Sequence, residues 1–226
     1  MTIEIPDVLT AGQLSEARAL LDAAEWTDGK ATAGHQAARA KDNLQIPAEH
    51  PAARRVGETI VAALGRHPLF LSAALPARIL PPMFNRYSGG QHFGAHVDGA
   101  IRQAAGSALR IRADLSATLF FAGPEEYDGG ELIIRDTFGA KSVKLAAGHM
   151  ILYPAGSLHQ VNPVTRGTRL CSFFWIQSLV RADEKRALLF DLDRAIQRLG
   201  AEHPGDSSVV PFTGVYHNLL RQWAET

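Results

Sequence analysis

Residues 91–98 read QHFGAHVD, and the interpretation of the whole chain starts from this stretch. Side chains at positions i and i+2 of an extended segment lie on the same face. We therefore expect His96 and Asp98 to point inward together from the end of a strand. Gly94 and Ala95, just before them, are small and leave room for a bulky group. The stretch predicts a metal site built on a β fold.

The sequence on either side of this stretch has the texture of an antiparallel β protein. From about Leu69 to Ser178, short β-branched and aromatic runs are separated by Gly, Pro and Asp turn signals. Many short strands at regular spacing are typical of a sandwich or jelly roll, and not of a parallel α/β sheet. The predicted strands are Arg78 to Tyr87, Gln91 to Val97, Asp114 to Phe121, Glu131 to Arg135, Lys141 to Leu145, Met150 to Tyr153 and Arg169 to Ser178.

Helical patterns flank the predicted strands on both sides. Apolar residues at helical spacing predict four helices, which begin at Ala11 or span residues 49–64, 181–199 and 213–224. Thr10 is the predicted N-cap of the first helix. We therefore predict a mainly β fold with flanking helices (α+β). It divides into an N-terminal helical support region (residues 1–76), a jelly-roll core (77–180) and a C-terminal helical appendage (181–226).

Composition and charge exclude several classes of protein. Lys plus Arg and Asp plus Glu each number 23, so no global field attracts nucleic acid or an acidic membrane. Residues 1–7 lack the pattern of a secretory signal, and no apolar run approaches the roughly 20 residues that span a bilayer. A single cysteine, Cys171, excludes an intrachain disulfide and fits a reducing compartment. We expect a cytoplasmic protein, and the sequence leaves a homo-oligomer open.

A second histidine, His159, completes a known ligand pattern. His96, Asp98 and a later His159 form the set of a 2-His-1-carboxylate facial triad, which holds Fe(II) and leaves coordination positions open. His92 shares the face of His96 but lies further along the segment, where a supporting or substrate role is left open. A cupin-like metalloenzyme is a rival interpretation, and the His-x-Asp pair disfavours it. The carboxylate ligand also disfavours an iron-dependent halogenase.

Arg169 opens an apolar strand, where an unpaired charge would be costly. A bidentate carboxylate is the best match for its guanidinium group, and 2-oxoglutarate is the obvious dicarboxylate beside an iron site. The alternative is an internal salt bridge to an Asp or a Glu. We expect the polar stretch from Asn162 to Thr168 to carry the chain from one sheet to the other, so that His159 and Arg169 both face the interior.

Five longer motifs carry a family resemblance, and together with the C-terminal part they extend it over nearly the whole chain. The motifs are FNRYSGG at 84–90, FGAHVDGAIR at 93–102, DLSATL at 114–119, YDGGEL at 127–132 and YPAGSLHQV at 153–161. They resemble the bacterial PKHD-type hydroxylases. These enzymes are Fe(II)- and 2-oxoglutarate-dependent dioxygenases related to the prolyl and lysyl hydroxylases.

The resemblance implies a fold, a site and an activity. It implies a double-stranded β-helix core, with iron on His96, Asp98 and His159, and with 2-oxoglutarate on Arg169 and near Tyr87. The implied enzyme uses O2, with ascorbate as a candidate reductant, and couples decarboxylation of 2-oxoglutarate to hydroxylation of a small-molecule or peptidyl substrate. A non-enzymatic sensor of iron, oxygen or 2-oxoglutarate with the same site is the alternative.

Two further expectations concern the surroundings of the site. The wider prolyl hydroxylase group often has another tyrosine in the strand after the His-x-Asp loop, whereas residues 118–121 here read TLFF. The loop from Gly99 to Arg112 contains small residues that suit a mobile lid over the substrate. Arg102, Arg110 and Arg112 are available there for an anionic substrate, and a merely solvated basic loop is the alternative.

Overall fold

The computed structural model describes residues 1–32, 39–104, 106–137 and 139–226. The helices in these ranges are α1 (Ala11–Asp22), α2 (Pro51–Leu64), α3 (Pro68–Ala74), α4 (Asp183–Glu202) and α5 (Val209–Trp223). The strands are β1 (Ile3–Ile5), β2 (Thr27–Asp28), β3 (Lys41–Asp42), β4 (Leu44–Gln45), β5 (Pro76–Ile79), β6 (Met83–Ser88), β7 (His92–His96), β8 (Ile101–Gln103), β9 (Arg110–Arg112), β10 (Leu115–Phe120), β11 (Tyr127–Gly129), β12 (Leu132–Asp136), β13 (Gly139–Val143), β14 (Met150–Pro154), β15 (Leu158–Val161) and β16 (Val164–Ser178).

Two antiparallel sheets contain most of the strands. In the described ranges, the larger sheet has the order β1-β14-β10-β16-β6-β4-β2, and β5 and β11 also pair with β16. The smaller sheet has the order β13-β12-β15-β7-β3, and β8 and β9 form a separate hairpin. Paired antiparallel sheets with helices outside them are the jelly roll of the predicted α+β class. The predicted fold is confirmed.

Helices cover the outer face of the larger sheet. All six residues of β10 are buried, so this strand needs cover on both faces. One core cluster joins the sheet to the inward faces of the helices, with Leu21 of α1 and Val56, Ile60 and Leu64 of α2 all buried in it. The opposite face of the larger sheet is therefore turned toward the smaller sheet, and the two sheets enclose a cavity between them.

Local sequence signals explain where the first helices begin. Thr10 and Gln13 form a reciprocal capping box at α1, as the sequence predicts. Pro51 and Pro68 occupy the first positions of α2 and α3, where a missing N–H costs nothing. α3 is a correction, because the predicted β texture began at about Leu69. His67 caps this short helix by accepting a hydrogen bond from the Phe70 N–H at 3.4 Å.

Two strand predictions were wrong in their extent. The predicted strand from Arg78 to Tyr87 is divided into β5 and β6, because Pro81 and Pro82 have no N–H to donate to a ladder. β16 begins at Val164 and not at Arg169, since its first residues pair with β11. The crossing between the sheets is thus confined to the two residues after β15, a strand that was not predicted.

The C-terminal helices pack together beside the end of β16. Buried Leu75, Val180 and Leu189 form a separate small core with side chains of α5. Arg186 is buried there and donates to the carbonyl oxygens of Val180 and Arg181, both at 2.7 Å. Among the described residues, no helix has the length and apolar character needed to cross a membrane.

Candidate active site

His96 and His159 are brought together by strand pairing. β7 and β15 are antiparallel neighbours, and these two histidines are register partners across them. Their ring centroids lie 4.3 Å apart. The predicted convergence of two distant sequence segments therefore follows from the register of the smaller sheet.

Main-chain carbonyl groups fix the tautomer of both imidazoles. His96 Nδ1 lies 2.8 Å from the carbonyl oxygen of Gly94, and His159 Nδ1 lies 2.9 Å from that of Ser157. A carbonyl oxygen only accepts, so Nδ1 carries the proton and donates in both cases. The Nε2 atoms are left with free lone pairs, which is the form that binds metal.

Asp98 completes a cluster of three metal-ligating side chains. It lies two residues after the end of β7, and its Oδ2 accepts a hydrogen bond from Ser116 Oγ at 2.7 Å. The same oxygen lies 3.8 Å from His159 Nε2. One donor atom from each of His96, Asp98 and His159 lies within 4.8 Å of the other two. Two neutral nitrogens and one carboxylate suit a divalent iron ion.

Burial keeps His96 neutral. Burial, together with the charge of the neighbouring His159, lowers the pKa of His96 to about 4. Phe93 stacks on the His96 ring with a centroid separation of 3.6 Å and supplies part of that burial. His96 is therefore unprotonated at neutral pH, which is the form that can bind a metal.

Arg169 is a buried cation without a hydrogen-bonding partner. It is a register partner of Tyr87 in the larger sheet and is only 1% exposed. Its guanidinium carbon lies 5.4 Å from the Tyr87 ring centroid and 5.2 Å from that of Phe120. Among the described residues, no carboxylate pairs with it, and the neighbouring Tyr127 hydroxyl makes no hydrogen bond of good geometry to its nitrogens. The alternative of an internal salt bridge is therefore wrong.

One cavity contains the histidine cluster and Arg169. It has a volume of about 570 Å³ and is lined from both sheets. Of the predicted site residues, it brings together His96, Asp98, His159, Arg169 and Tyr87. His92 is exposed and is not part of the lining.

Tyr153 lines the cavity together with His159 and Arg169, and the sequence analysis did not identify it as a site residue. Its ring meets His159 edge-on with centroids 5.2 Å apart, and its hydroxyl shares a hydrogen bond with Thr118. Burial raises the pKa of Tyr153, and the charge of Asp98 adds to this effect. Tyr153 is the register partner of Ser116. A neutral phenol from β14 is thus present although residues 118–121 carry no tyrosine.

The segment from Gly99 to Arg112 differs from the predicted loop. It contains the hairpin of β8 and β9, and Ala105 of the predicted lid lies outside the described residues. Arg112 donates to Asp114 at 2.6 Å and to Glu225 at 2.7 Å, so it braces the C-terminus. Arg110 is exposed and does not line the cavity. Of the three arginines, Arg102 alone reaches the cavity, and its guanidinium carbon lies 3.7 Å from the Trp175 ring centroid.

Lys41 is a second cation in the cavity wall that sequence reasoning missed. It is 4% exposed, and its Nζ lies 5.5 Å and 5.9 Å from the ring centroids of Phe93 and Phe173. Burial and, second to it, the positive charge of Arg102 lower the pKa of Lys41 to about 8. No periodic pattern in the sequence indicated this role, because Lys41 lies on a strand of only two residues.

Two family models match this chain. Residues 82–177 match the 2OG-Fe(II) oxygenase superfamily, and residues 183–225 match the PKHD-type hydroxylase C-terminal domain. The first range contains the histidine cluster and Arg169. The second range contains α4 and α5.

Curated relatives match over their full length. A PKHD-type hydroxylase of Methylobacillus flagellatus is 61% identical, with 100% of each chain covered. The PKHD-type hydroxylase PiuC of Pseudomonas aeruginosa is 56% identical, also with 100% of each chain covered.

Solved structures show the same fold at low sequence identity. A Pseudomonas putida prolyl-4-hydroxylase is 21% identical with a TM-score of 0.51, over 78% of this chain and 92% of its own. A Trichoplax adhaerens prolyl hydroxylase is 12% identical with a TM-score of 0.54, over 83% of this chain and 86% of its own. Together with the full-length relatives, these matches show that the chain belongs to the PKHD-type hydroxylases of the 2OG-Fe(II) oxygenase superfamily and is an enzyme of the dioxygenase class.

Proposed function

We propose that this enzyme holds Fe(II) on His96, Asp98 and His159 and 2-oxoglutarate on Arg169 and Tyr87, and hydroxylates a small-molecule or peptidyl substrate. The overall reaction combines 2-oxoglutarate, O2 and a substrate C–H group. It yields succinate, carbon dioxide and the C–OH product. Ascorbate is included in the proposal as the reductant that keeps the iron ferrous.

The observation that carries this proposal is the unpartnered guanidinium of Arg169 in the same cavity as the histidine cluster. A buried cation with no partner carries a desolvation cost that a bound carboxylate offsets. A dicarboxylate placed with one end at Arg169 can direct its other end to the metal ligands. 2-Oxoglutarate has this chemistry, and it is the cosubstrate of the family.

When bound, iron and 2-oxoglutarate supply the oxidising power of the reaction. The protein supplies a fixed ligand set. The carbonyl oxygens of Gly94 and Ser157 orient the two imidazoles. The Ser116 hydroxyl donates to one oxygen of Asp98 and holds that carboxylate in place. Such supporting contacts around metal ligands typically change metal affinity by about 10- to 100-fold.

The tyrosines beside Arg169 suit a carboxylate ligand. Burial raises the pKa of Tyr87 to about 12, so its hydroxyl is a neutral donor. Tyr153 lies beside both Asp98 and Arg169 and is also neutral. We propose that these two phenols donate to the cosubstrate and replace the absent tyrosine of the 118–121 strand. The apolar side chains around them exclude water from the site.

The first experiment tests turnover. Purified enzyme with Fe(II), ascorbate, O2 and 2-oxoglutarate is expected to form succinate, and Asp98→Ala is expected to abolish this activity. Asp128→Asn is the matched control, because Asp128 is an exposed carboxylate that pairs with Arg166 and does not line the cavity. Binding of 2-oxoglutarate without any succinate would contradict an enzymatic role and support the sensor alternative.

A second experiment searches for the substrate. Metabolite and peptide pools from cells that carry the wild-type enzyme are compared with pools from cells that carry Asp98→Ala. The expected difference is a species that gains one oxygen atom, and growth under labelled O2 identifies the source of that atom. A peptide is a reasonable candidate because the Trichoplax prolyl hydroxylase was solved with a peptide fragment.

A further inference from the structure

Arg102 and Arg169 hold two different positions in the cavity. Arg169 is fully buried beside Tyr87, whereas Arg102 is partly exposed and stacks on Trp175. Arg169 and Trp175 both lie on β16, six residues apart. Alternate residues of a strand share a face, and six residues extend about 20 Å. The two guanidinium groups therefore mark opposite ends of the cavity wall formed by β16.

The end of the cavity near Arg102 is cationic. Among the described residues, no carboxylate lies within ion-pair distance of Arg102. Lys41 lines the same cavity, where burial and the charge of Arg102 lower its pKa while Asp28 and Asp98 raise it. The charge of Asp98 also acts on Arg102. Two like charges in a partly buried wall are stabilised by an anion between them.

The surfaces around these cations are aromatic and apolar. Phe93 and Phe173 lie near the Lys41 ammonium group, and Trp175 lies under the Arg102 guanidinium. Val97 and Leu158 also line the cavity and are 52% and 42% exposed. Exposed apolar side chains at the rim of a cavity are typical of a surface that a ligand covers.

We propose that Arg102 and Lys41 form a second anion site, which binds the anionic group of an organic substrate whose apolar body packs on Phe173, Val97 and Leu158. This inference rests on the proposed function, because it assigns Arg169 to 2-oxoglutarate and the remaining end of the cavity to the substrate. The substrate class is a small organic carboxylate, sulfonate or phosphate. An acidic group on a peptide meets the same requirement.

The test compares two probes of nearly equal shape. Benzenesulfonate carries a negative charge, and methyl phenyl sulfone is neutral. Their binding to the full-length enzyme with Mn(II) and saturating 2-oxoglutarate is followed by calorimetry and tryptophan fluorescence. We expect benzenesulfonate to bind at least about tenfold more tightly than the sulfone. Arg102→Gln is expected to reduce this preference to less than about twofold.

Two control variants locate the effect. Arg110→Gln removes a cation from the same hairpin but outside the cavity, and it is expected to keep the preference for benzenesulfonate. Lys41→Gln tests the second cation and is expected to reduce the preference in part. Folding of each variant is checked by its thermal transition.

The outcomes separate this proposal from the proposed function. Equal binding of the two probes, or no binding of benzenesulfonate, would overturn the second anion site. A large loss of 2-oxoglutarate affinity in Arg102→Gln would assign Arg102 to the cosubstrate and would also overturn it. If the probe preference holds but 2-oxoglutarate neither binds nor is turned over, the proposed function fails and the anion site stands.

Discussion

His96 and His159 face each other as register partners on adjacent antiparallel strands, with their ring centroids 4.3 Å apart. The two residues are far apart in sequence, and strand pairing alone makes them neighbours. A slip of one residue in the pairing would turn one imidazole to the opposite face of the sheet. The geometry of the candidate metal site therefore depends on the register of β7 and β15.

Replacing Arg169 is expected to weaken 2-oxoglutarate binding selectively. Loss of one partner of a buried charge pair costs about 3–5 kcal/mol, which corresponds to roughly two to four decades in affinity. Arg169→Gln is measured by calorimetry with Mn(II) present, and metal affinity is measured separately. Arg166→Gln, at an exposed position of the same strand, is the control. Unchanged 2-oxoglutarate affinity in Arg169→Gln would show that the residue was misassigned.

Removing the Ser116 hydroxyl is expected to weaken metal binding. Ser116 Oγ donates to Asp98 Oδ2 at 2.7 Å, and loss of such a contact lowers metal affinity by about 10- to 100-fold. Ser116→Ala is titrated with Co(II) and followed by the absorbance of the bound ion. Ser116→Thr keeps a hydroxyl and is expected to restore much of the affinity. The exposed Ser142→Ala is the control, and equal affinities in all variants would rule out this role for Ser116.

The stability of the metal-free protein is expected to fall on acidification. The folded-state pKa of His96 is lowered to about 4, whereas the unfolded-state value is about 6.5. Between these values the unfolded chain binds more protons, so the free energy of unfolding decreases as the pH falls. Denaturant titrations between about pH 7 and about pH 4 measure this slope. His96→Gln is expected to reduce the slope and the exposed His92→Gln to keep it; identical slopes in all three proteins would refute the assignment.

A methyl group at Gly130 is expected to disturb the site of Arg169. Gly130 has a φ of +67°, and an added Cβ would lie 2.8 Å from Val164 Cγ2 and 3.1 Å from Arg169 Cδ. Gly130→Ala therefore combines backbone strain with a steric clash, and we expect a loss of more than about 1 kcal/mol in stability. Weaker 2-oxoglutarate binding is expected to accompany it.

Gly89 provides the matched control for this clash. It also has a positive φ, +58°, but an added Cβ would meet nothing within 4 Å. Gly89→Ala is expected to show backbone strain without any change in 2-oxoglutarate affinity. Equal effects of the two substitutions on that affinity would mean that Gly130 does not help to position Arg169.

Much of the fold and of the candidate site could be predicted because the signals were local. The His-x-Asp pair fixes a shared face within three residues, and the turn residues between apolar runs indicate antiparallel strands. Arg169 could be singled out because a charge at the start of an apolar strand requires a partner. The structure also excludes an internal ion pair as that partner among the described residues.

The residues that were missed depend on long-range contacts. Lys41 belongs to a strand of two residues, too short for a periodic pattern, and it enters the cavity only because β3 pairs with β7. Tyr153 lies in a buried, mostly apolar strand, where the sequence does not distinguish it from a core residue. Its place beside His159 follows from the packing of the two sheets. The short helix α3 was missed because its apolar sequence lacks a polar face that would reveal a helical period.

The length of β16 has a consequence for substrate selection. One continuous strand of 15 residues carries both Arg169 and Trp175, with no loop between them that could change length. The separation of the two cationic ends is therefore set by the rise of the main chain. If the two anion sites are occupied as proposed, each added methylene in a homologous series of ligands is expected to shift which carbon lies at the iron, and with it the position of hydroxylation.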